Sequence, residues 1–298
     1  MDENATPSPP VEETARAAWQ PLTFGGVAAF ARAGLSRLLG VQVLVAGGVA
    51  LSAVWFLAAA WLPTIEQAIH RLPEQGAIRH GQLQWPGDSP TRLAQGLFLS
   101  VVVDLDASAP TDHTADVQLE FGRREIRLHS LLGYWAVPYP KGWLIAFNRA
   151  ELEPWWGAWH PALLAGLAVA VLLGLLVSWA LLALPYSVPI WRLARWTGRD
   201  VDRAGCWRVA SMAQTPAALL MAVAIVLYSQ HQLGLVHLLA LWLVHWVVGW
   251  IYMIGAALRL PRRTETSSFL INPFSGRANP RNPFSRKGKS GKADDKEK

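Results

Sequence analysis

The chain has 298 residues, of which 52% are hydrophobic and only 16% charged, with a net charge of +6. That balance excludes an ordinary water-soluble domain, in which about a quarter of residues are charged. It also excludes nucleic acid as a partner, because the Lys and Arg residues flank apolar runs instead of forming a patch with a recognition motif.

Sixteen tryptophans point to a membrane boundary, where the ring is buried and its N–H stays wet. The single cysteine, Cys206, leaves no intramolecular disulfide to support the fold. Pro, Ser and charge content predict a disordered N-terminus over residues 1–21. Residues 22–40, "LTFGGVAAFARAGLSRLLG", place Phe24, Val27, Phe30, Leu35 and Leu38 among small residues and two arginines, which predicts an interfacial amphipathic helix. The apolar run 43–62 predicts transmembrane helix 1, too long and too late in the chain to be a signal peptide.

Residues 63–157 have their own patterning and predict a small α+β domain. "PTIEQAIHRLPEQ" reads as a helix continuing from the first span, and "LFLSVVVDLD" is a β-branched run. "DVQLEFGRREIRLHS" alternates Val117, Leu119 and Phe121, then Ile126 and Leu128 after a turn at Gly122–Arg123, where positive φ is expected of the glycine. Three further apolar runs predict transmembrane helices 2, 3 and 4 at 161–184, 209–228 and 235–258. A basic loop at 185–208 and a disordered basic tail at 262–298 complete the layout. The fold class expected is membrane all-α, with four transmembrane helices and a small α+β extracytoplasmic insertion between the first and second.

Orientation follows from Lys and Arg in the connections. Five arginines fall in 185–208 and eleven Lys or Arg from 259 onward, against none in "SQHQLG" at 229–234. Both termini are therefore expected in the cytoplasm of a bacterium, and 63–157, with 8 basic and 11 acidic residues over 64–157, outside the inner membrane.

Lipid supplies no hydrophobic drive for helix pairing, so small residues in register predict packing faces. The second span carries Ala162, Gly166, Ala170, Gly174 and Ser178, and the third Ser211, Gln214, Thr215 and a packing kink at Pro216. On the fourth span, 100° per residue gathers Gly234, His237, Leu241, His245, Val248, Tyr252 and Gly255 into an arc of about 80°, expected to face the bundle. Trp242, Trp246 and Trp250 would then face lipid or a partner.

His160, His231 and His237 are expected near the outer interface, where they could hold a surface metal. A haem is less well served: His245 lies about 12 Å deeper than His237, at a level where no other span offers a histidine. His245 is instead expected to hydrogen-bond between helices, and no cofactor is expected overall. In the α+β domain Asp104 and Asp106, followed by Asp112, His113 and Asp116, could bind a cation or serve as solvated turn residues; the spacing matches no EF-hand. The spans contain no carboxylate and no inverted repeat of the kind found in ion-coupled transporters. The tail repeats Asn-Pro-Phe-Ser, at 272–275 and 282–285, within a basic stretch suited to anionic lipid.

Several segments carry a resemblance: "FGGVAAFARAGLSRLLG" before the first span, "IRHGQLQWPGD" and "SVVVDLD" in the α+β domain, and "CWRVASMAQTPAALL" entering the third span. In these the chain resembles an uncharacterised family of bacterial multi-pass membrane proteins, distantly Yip-like, some members of which are labelled maltodextrin-utilisation proteins. The resemblance implies that Asp104 ends a strand and that Arg208, Ala213 and Pro216 mark the entry to the third span, with Leu105 where the family pattern has threonine. It implies a fold and a membrane, and no particular reaction. The functional expectation is a non-enzymatic accessory, assembly or sensing component, working with a membrane-protein partner or as a homo-oligomer. A metal- or haem-binding redox protein and a subunit of a transport system are the alternatives.

Overall fold

A computed structural model of the chain describes residues 19–107 and 115–263. The disordered ends expected at 1–21 and 262–298, the Asn-Pro-Phe-Ser repeat, and Asp112 with His113 lie almost wholly outside the described residues. Four helices are long and apolar enough to cross a bilayer, and a β-sheet region stands between the first and second of them. The protein is a multi-pass membrane protein.

The expected interfacial helix at 22–40 is not one helix. Helix α1 spans Phe24–Ala29, capped by Thr23, whose Oγ1 accepts from Gly26 N at 3.0 Å. A 3₁₀ turn at Phe30–Arg32 ends it, and Ala33 and Gly34 are extended before α2 begins. Val27 of α1 and Phe30 of the turn are wholly buried, so this segment packs into the protein core. Helix α2 (Leu35–Phe56) is the first span. It passes through a π-helical turn at Leu57–Trp61 into α3 (Leu62–His70). Pro63 explains the turn, since its ring and missing N–H disturb the helix one turn upstream.

Helix α4 (Arg149–Trp196) has 48 residues, about 72 Å of helix, more than twice the hydrocarbon thickness. Asn148 caps it, accepting from Glu151 N at 3.0 Å. The helix therefore takes over much of the expected 185–208 loop, leaving only 197–202 as the connection to α5 (Arg203–Met212). The third span is two pieces, α5 and α6 (Thr215–Ser229), with the break at Ala213–Gln214 and Pro216 in the first turn of α6, where its missing N–H costs no hydrogen bond. Helix α7 (Leu235–Arg259) is the fourth span.

The third span is the centre of the bundle, packed against α2, α4 and α7. Its bonds to neighbours replace the hydrophobic drive that lipid cannot supply. Gln42 of α2, buried, donates to Ser211 Oγ at 2.7 Å. Gln214 donates to Trp179 O at 3.3 Å, Trp207 Nε1 to Ala180 O at 3.1 Å, and Arg208 to Ala31 O at 3.1 Å.

Between the first two spans, α3 and the start of α4 rise together, joined by His70 and Glu153 at 3.4 Å. They carry two sheets. Strands β1 (Ala77–Arg79), β2 (Gln82–Gln84) and β8 (Ile145–Ala146) form the smaller, in the order β2-β1-β8. Its hairpin turns at His80–Gly81, both with positive φ, as a two-residue hairpin loop favours. Strands β3 (Thr91–Gln95), β4 (Leu99–Val103), β5 (Val117–Phe121), β6 (Glu125–Ser130) and β7 (Gly133–Pro138) form the larger, in chain order. All neighbours in it are antiparallel except β4 and β5. The β5–β6 hairpin follows the alternation in the sequence, but Gly122 does not have positive φ. Its glycine is needed for closeness: a Cβ there would lie 3.1 Å from Glu125 O.

Candidate functional site

The larger sheet has two unlike faces, and strand pairing decides which side chains share each. On one face Leu119, Phe121, Ile126, Leu128, Trp135 and Val137 come together from β5, β6 and β7, since Phe121 pairs with Ile126 and Ile126 with Val137. Helix α3 packs mainly on β3 and β4, so this apolar face is roofed at one side and open at the other. The result is a cavity of about 400 Å³ between the sheet, Ile65 of α3, Leu72 just after it, Ile145 of β8 and Leu152 of α4. Every side chain lining it is apolar except Tyr139. Its size falls within the roughly 300–1,000 Å³ of small-molecule sites.

Tyr139 anchors the cavity wall. It is buried, and its hydroxyl donates to Gly122 O at 3.0 Å. Burial pushes the phenol well above its ordinary value, so it stays neutral and the wall carries no charge. Val137 and Pro138 are exposed at the rim.

The opposite face is polar. Arg127 donates to Glu120 at 2.5 Å and to Glu125 at 3.0 Å, while His129 Nε2 lies 3.2 Å from Glu120 Oε2 without the alignment of a hydrogen bond. Burial works against the Arg127 charge, but the hydrogen bonds and charges of Glu125 and Glu120 outweigh it and hold the guanidinium above its ordinary value. This cluster closes on itself as an ion-paired patch. The two faces thus divide the sheet into an apolar side that lines the cavity and an ion-paired polar side.

A second cavity, of about 410 Å³, lies within the bundle. Trp242, His245, Trp246 and Trp250 line one wall, and Tyr186, Trp179 and Gln214 contribute to the others. The fourth span meets its expected faces only in part. Met253, Ala256 and Ala257 are its buried residues, and Leu241, His245, Val248, Tyr252 and Gly255 of the expected inward arc are half-buried, while His237 is exposed. Trp242, Trp246 and Trp250 are exposed along one side and border the groove, so the inner face is wider than the expected arc and extends toward the tryptophans. Polarity alone does not mark the inner face here. Small side chains at 256 and 257 contribute, by letting the backbone approach. His245 makes no bond across helices: its Nδ1 pairs with the carbonyl of Trp242 on its own helix.

The packing residues divide. Ser211, Thr215 and Pro216 are buried, Gln214 is half-buried, and Thr215 Oγ1 donates to Met212 O at 2.8 Å across the helix break. On the second span, Gly166, Ala170 and Gly174 are exposed, and a Cβ at Gly166 or Gly174 would meet nothing within 4 Å. Ser178 is half-buried and donates to Leu175 O of its own helix. The stripe faces away from the bundle because Val171, Leu172, Leu175, Leu176 and Trp179 fill the inner side of α4.

The three interface histidines do not converge. His160 pairs with Trp156 O at 3.1 Å, His231 stacks on Phe98 at 4.9 Å, and His237 stays exposed at the start of α7. Among the described residues no three His, Cys, Asp or Glu side chains are grouped as a metal would require. Asp104 and Asp106 have unlike surroundings. Both follow β4, where Asp104 is wholly buried and accepts from Asp106 N at 3.2 Å, and Asp106 turns out to Arg123 at 2.9 Å.

Three features of the structure go beyond what the sequence predicts: Gln42, Tyr139 and the contact of Asp116 with Tyr228, whose hydroxyl donates to Asp116 Oδ2 at 2.5 Å. Gln42 had a signal, a lone amide between Val41 and Val43 in an otherwise apolar run. The other two depend on contacts distant in sequence. No protein-family model, no curated protein and no solved structure matches this chain.

Proposed function

We propose that this protein is a non-enzymatic accessory component of a bacterial inner membrane whose β-domain takes up a long apolar chain, such as the acyl or prenyl tail of a lipid. The observation that carries the reading is the cavity between the larger sheet and α3, apolar throughout save for a neutral tyrosine and held on helices that continue into the bilayer. An unlined polar or charged ligand would leave its own groups unpaired there, whereas an alkyl chain gains about 25 cal/mol per Å² of surface withdrawn from water.

Orientation supports the same reading. Arg192, Arg195, Arg199, Arg203 and Arg208 cluster at the end of the bundle away from the β-domain, which under the positive-inside rule supports a β-domain outside the cytoplasm. In this reading the likeness to the Yip-like family extends to the way a soluble insertion is held over a helix bundle, and the chain senses or presents a lipid to a membrane partner.

The test uses the full chain in detergent with a photoactivatable diazirine fatty acid. Crosslinks are expected on Phe121, Ile126 and Tyr139 peptides, and are lost in Ile126→Trp, which fills the cavity, and in Val137→Trp, which blocks the rim without crowding the core. Crosslinks confined to the spans, unchanged by both variants, would overturn the reading.

A further inference from the structure

At the turn between β6 and β7 the β-domain carries exposed apolar side chains that neither its core nor the cavity uses. Strands β6 and β7 close on a two-residue turn, Leu131–Leu132, with Ser130 paired to Gly133. Leu131 is 61% exposed, Leu132 77%, and Trp135 69%. No Asp, Glu, Lys or Arg occurs from Ser130 to Pro140. Edge strands facing water are normally blunted by charge, and a tip of two bare leucines is a liability there.

The register places this turn. Val117 pairs with Ser130, so the turn projects from the end of the sheet that holds Asp116 and Phe98. Those two residues sit on the end of the third span: Asp116 accepts from Tyr228, and the Phe98 ring lies 4.9 Å from that of Tyr228. The charged Arg123–Arg124 turn and Pro138 lie at the opposite end.

We infer that the Leu131–Leu132 turn dips into the bilayer beside the end of the third span, with Tyr134 and Trp135 at the headgroup level. The occupant is lipid because the exposed residues are those a membrane interface selects: two aliphatic side chains at the tip and two amphipathic rings behind it. A two-residue turn also carries few unpaired backbone groups into the apolar region. The inference does not depend on what fills the cavity, and it gives the β-domain a third attachment to the membrane beside α3 and α4.

The experiment uses the full chain in nanodiscs of phosphatidylethanolamine and phosphatidylglycerol, open to reagents on both faces. A nitroxide is attached to Leu132→Cys and, separately, to Arg124→Cys at the far end of the sheet; unsubstituted protein, whose Cys206 is buried, controls for stray labelling. The label at 132 is expected to collide readily with dissolved oxygen and rarely with a water-soluble nickel chelate, and the label at 124 the reverse. Nickel collisions as frequent at 132 as at 124 would put the tip in water and overturn the inference. Exclusion of both reagents at 132 would also overturn it, by showing the tip packed against protein, as in edge pairing of two copies. Leu131→Cys repeats the reading if Leu132→Cys does not reconstitute.

Discussion

The third and fourth spans have similar composition and opposite surroundings. In the third, 61% of the most apolar stretch is buried in the protein, and in the fourth, 6%. The third is broken at Ala213–Gln214 and bonded to three neighbours by Gln42, Trp207, Arg208 and Gln214. The fourth is fastened mainly at one end, where Tyr252 donates to Leu22 O at 2.8 Å and a Cβ on Gly255 would strike Phe24. Farther along, its tryptophans border an internal groove. Hydropathy makes both of them spans, but only the placement of small side chains separates a hub from a peripheral helix.

The comparison breaks most readily at Ala210, wholly buried on α5. Ala210→Leu forces extra carbons into the hub and should cost about 1–3 kcal/mol, read as a shift in the equilibrium unfolding midpoint in mixed micelles. An unchanged midpoint would mean that the third span is no more tightly held than its neighbours.

The parts legible in the sequence are those with a local cause. Lipid demands long apolar runs, so four spans could be counted, and alternation fixed the β5–β6 hairpin. Strand β4 is buried on both faces and shows no alternation, so its parallel pairing with β5 carries no local mark. The cavity was equally hidden, because its walls come from α3, the larger sheet, β8 and α4. At the Leu131–Leu132 turn the usual turn residues are missing, with only Gly133, at φ 123°, to signal it. On the fourth span Tyr252 and Gly255 of the expected inward arc do meet α1, but the fully buried residues are Met253, Ala256 and Ala257 beside it, because close packing in lipid is set by size as well as by polarity.

A smaller effect sharpens the contrast at Gln42. Gln42→Ala removes the amide that donates to Ser211 Oγ, and Ser211→Ala removes the acceptor hydroxyl. Each should cost about 1 kcal/mol, in the range of interhelical hydrogen bonds in membrane proteins, and the double variant should cost less than the sum. Additive losses would show that the two side chains stabilise the bundle separately, and the third span would then owe its position to packing alone.

The smallest effects belong to the residues that a polarity or small-residue pattern would rank highest. His245 satisfies Nδ1 on its own helix and Gly174 has open space around it, so His245→Leu and Gly174→Leu should each shift the midpoint by less than about 0.5 kcal/mol. Gly174→Leu discriminates more sharply, because the Gly166–Gly174 stripe has the spacing of a helix-pairing face and yet no helix among the described residues covers it. A large, concentration-dependent loss would place a helix from another molecule on that stripe, and the second span would join the third as a packed element. A negligible loss at every protein concentration leaves lipid as its neighbour and confines tight packing to the third span.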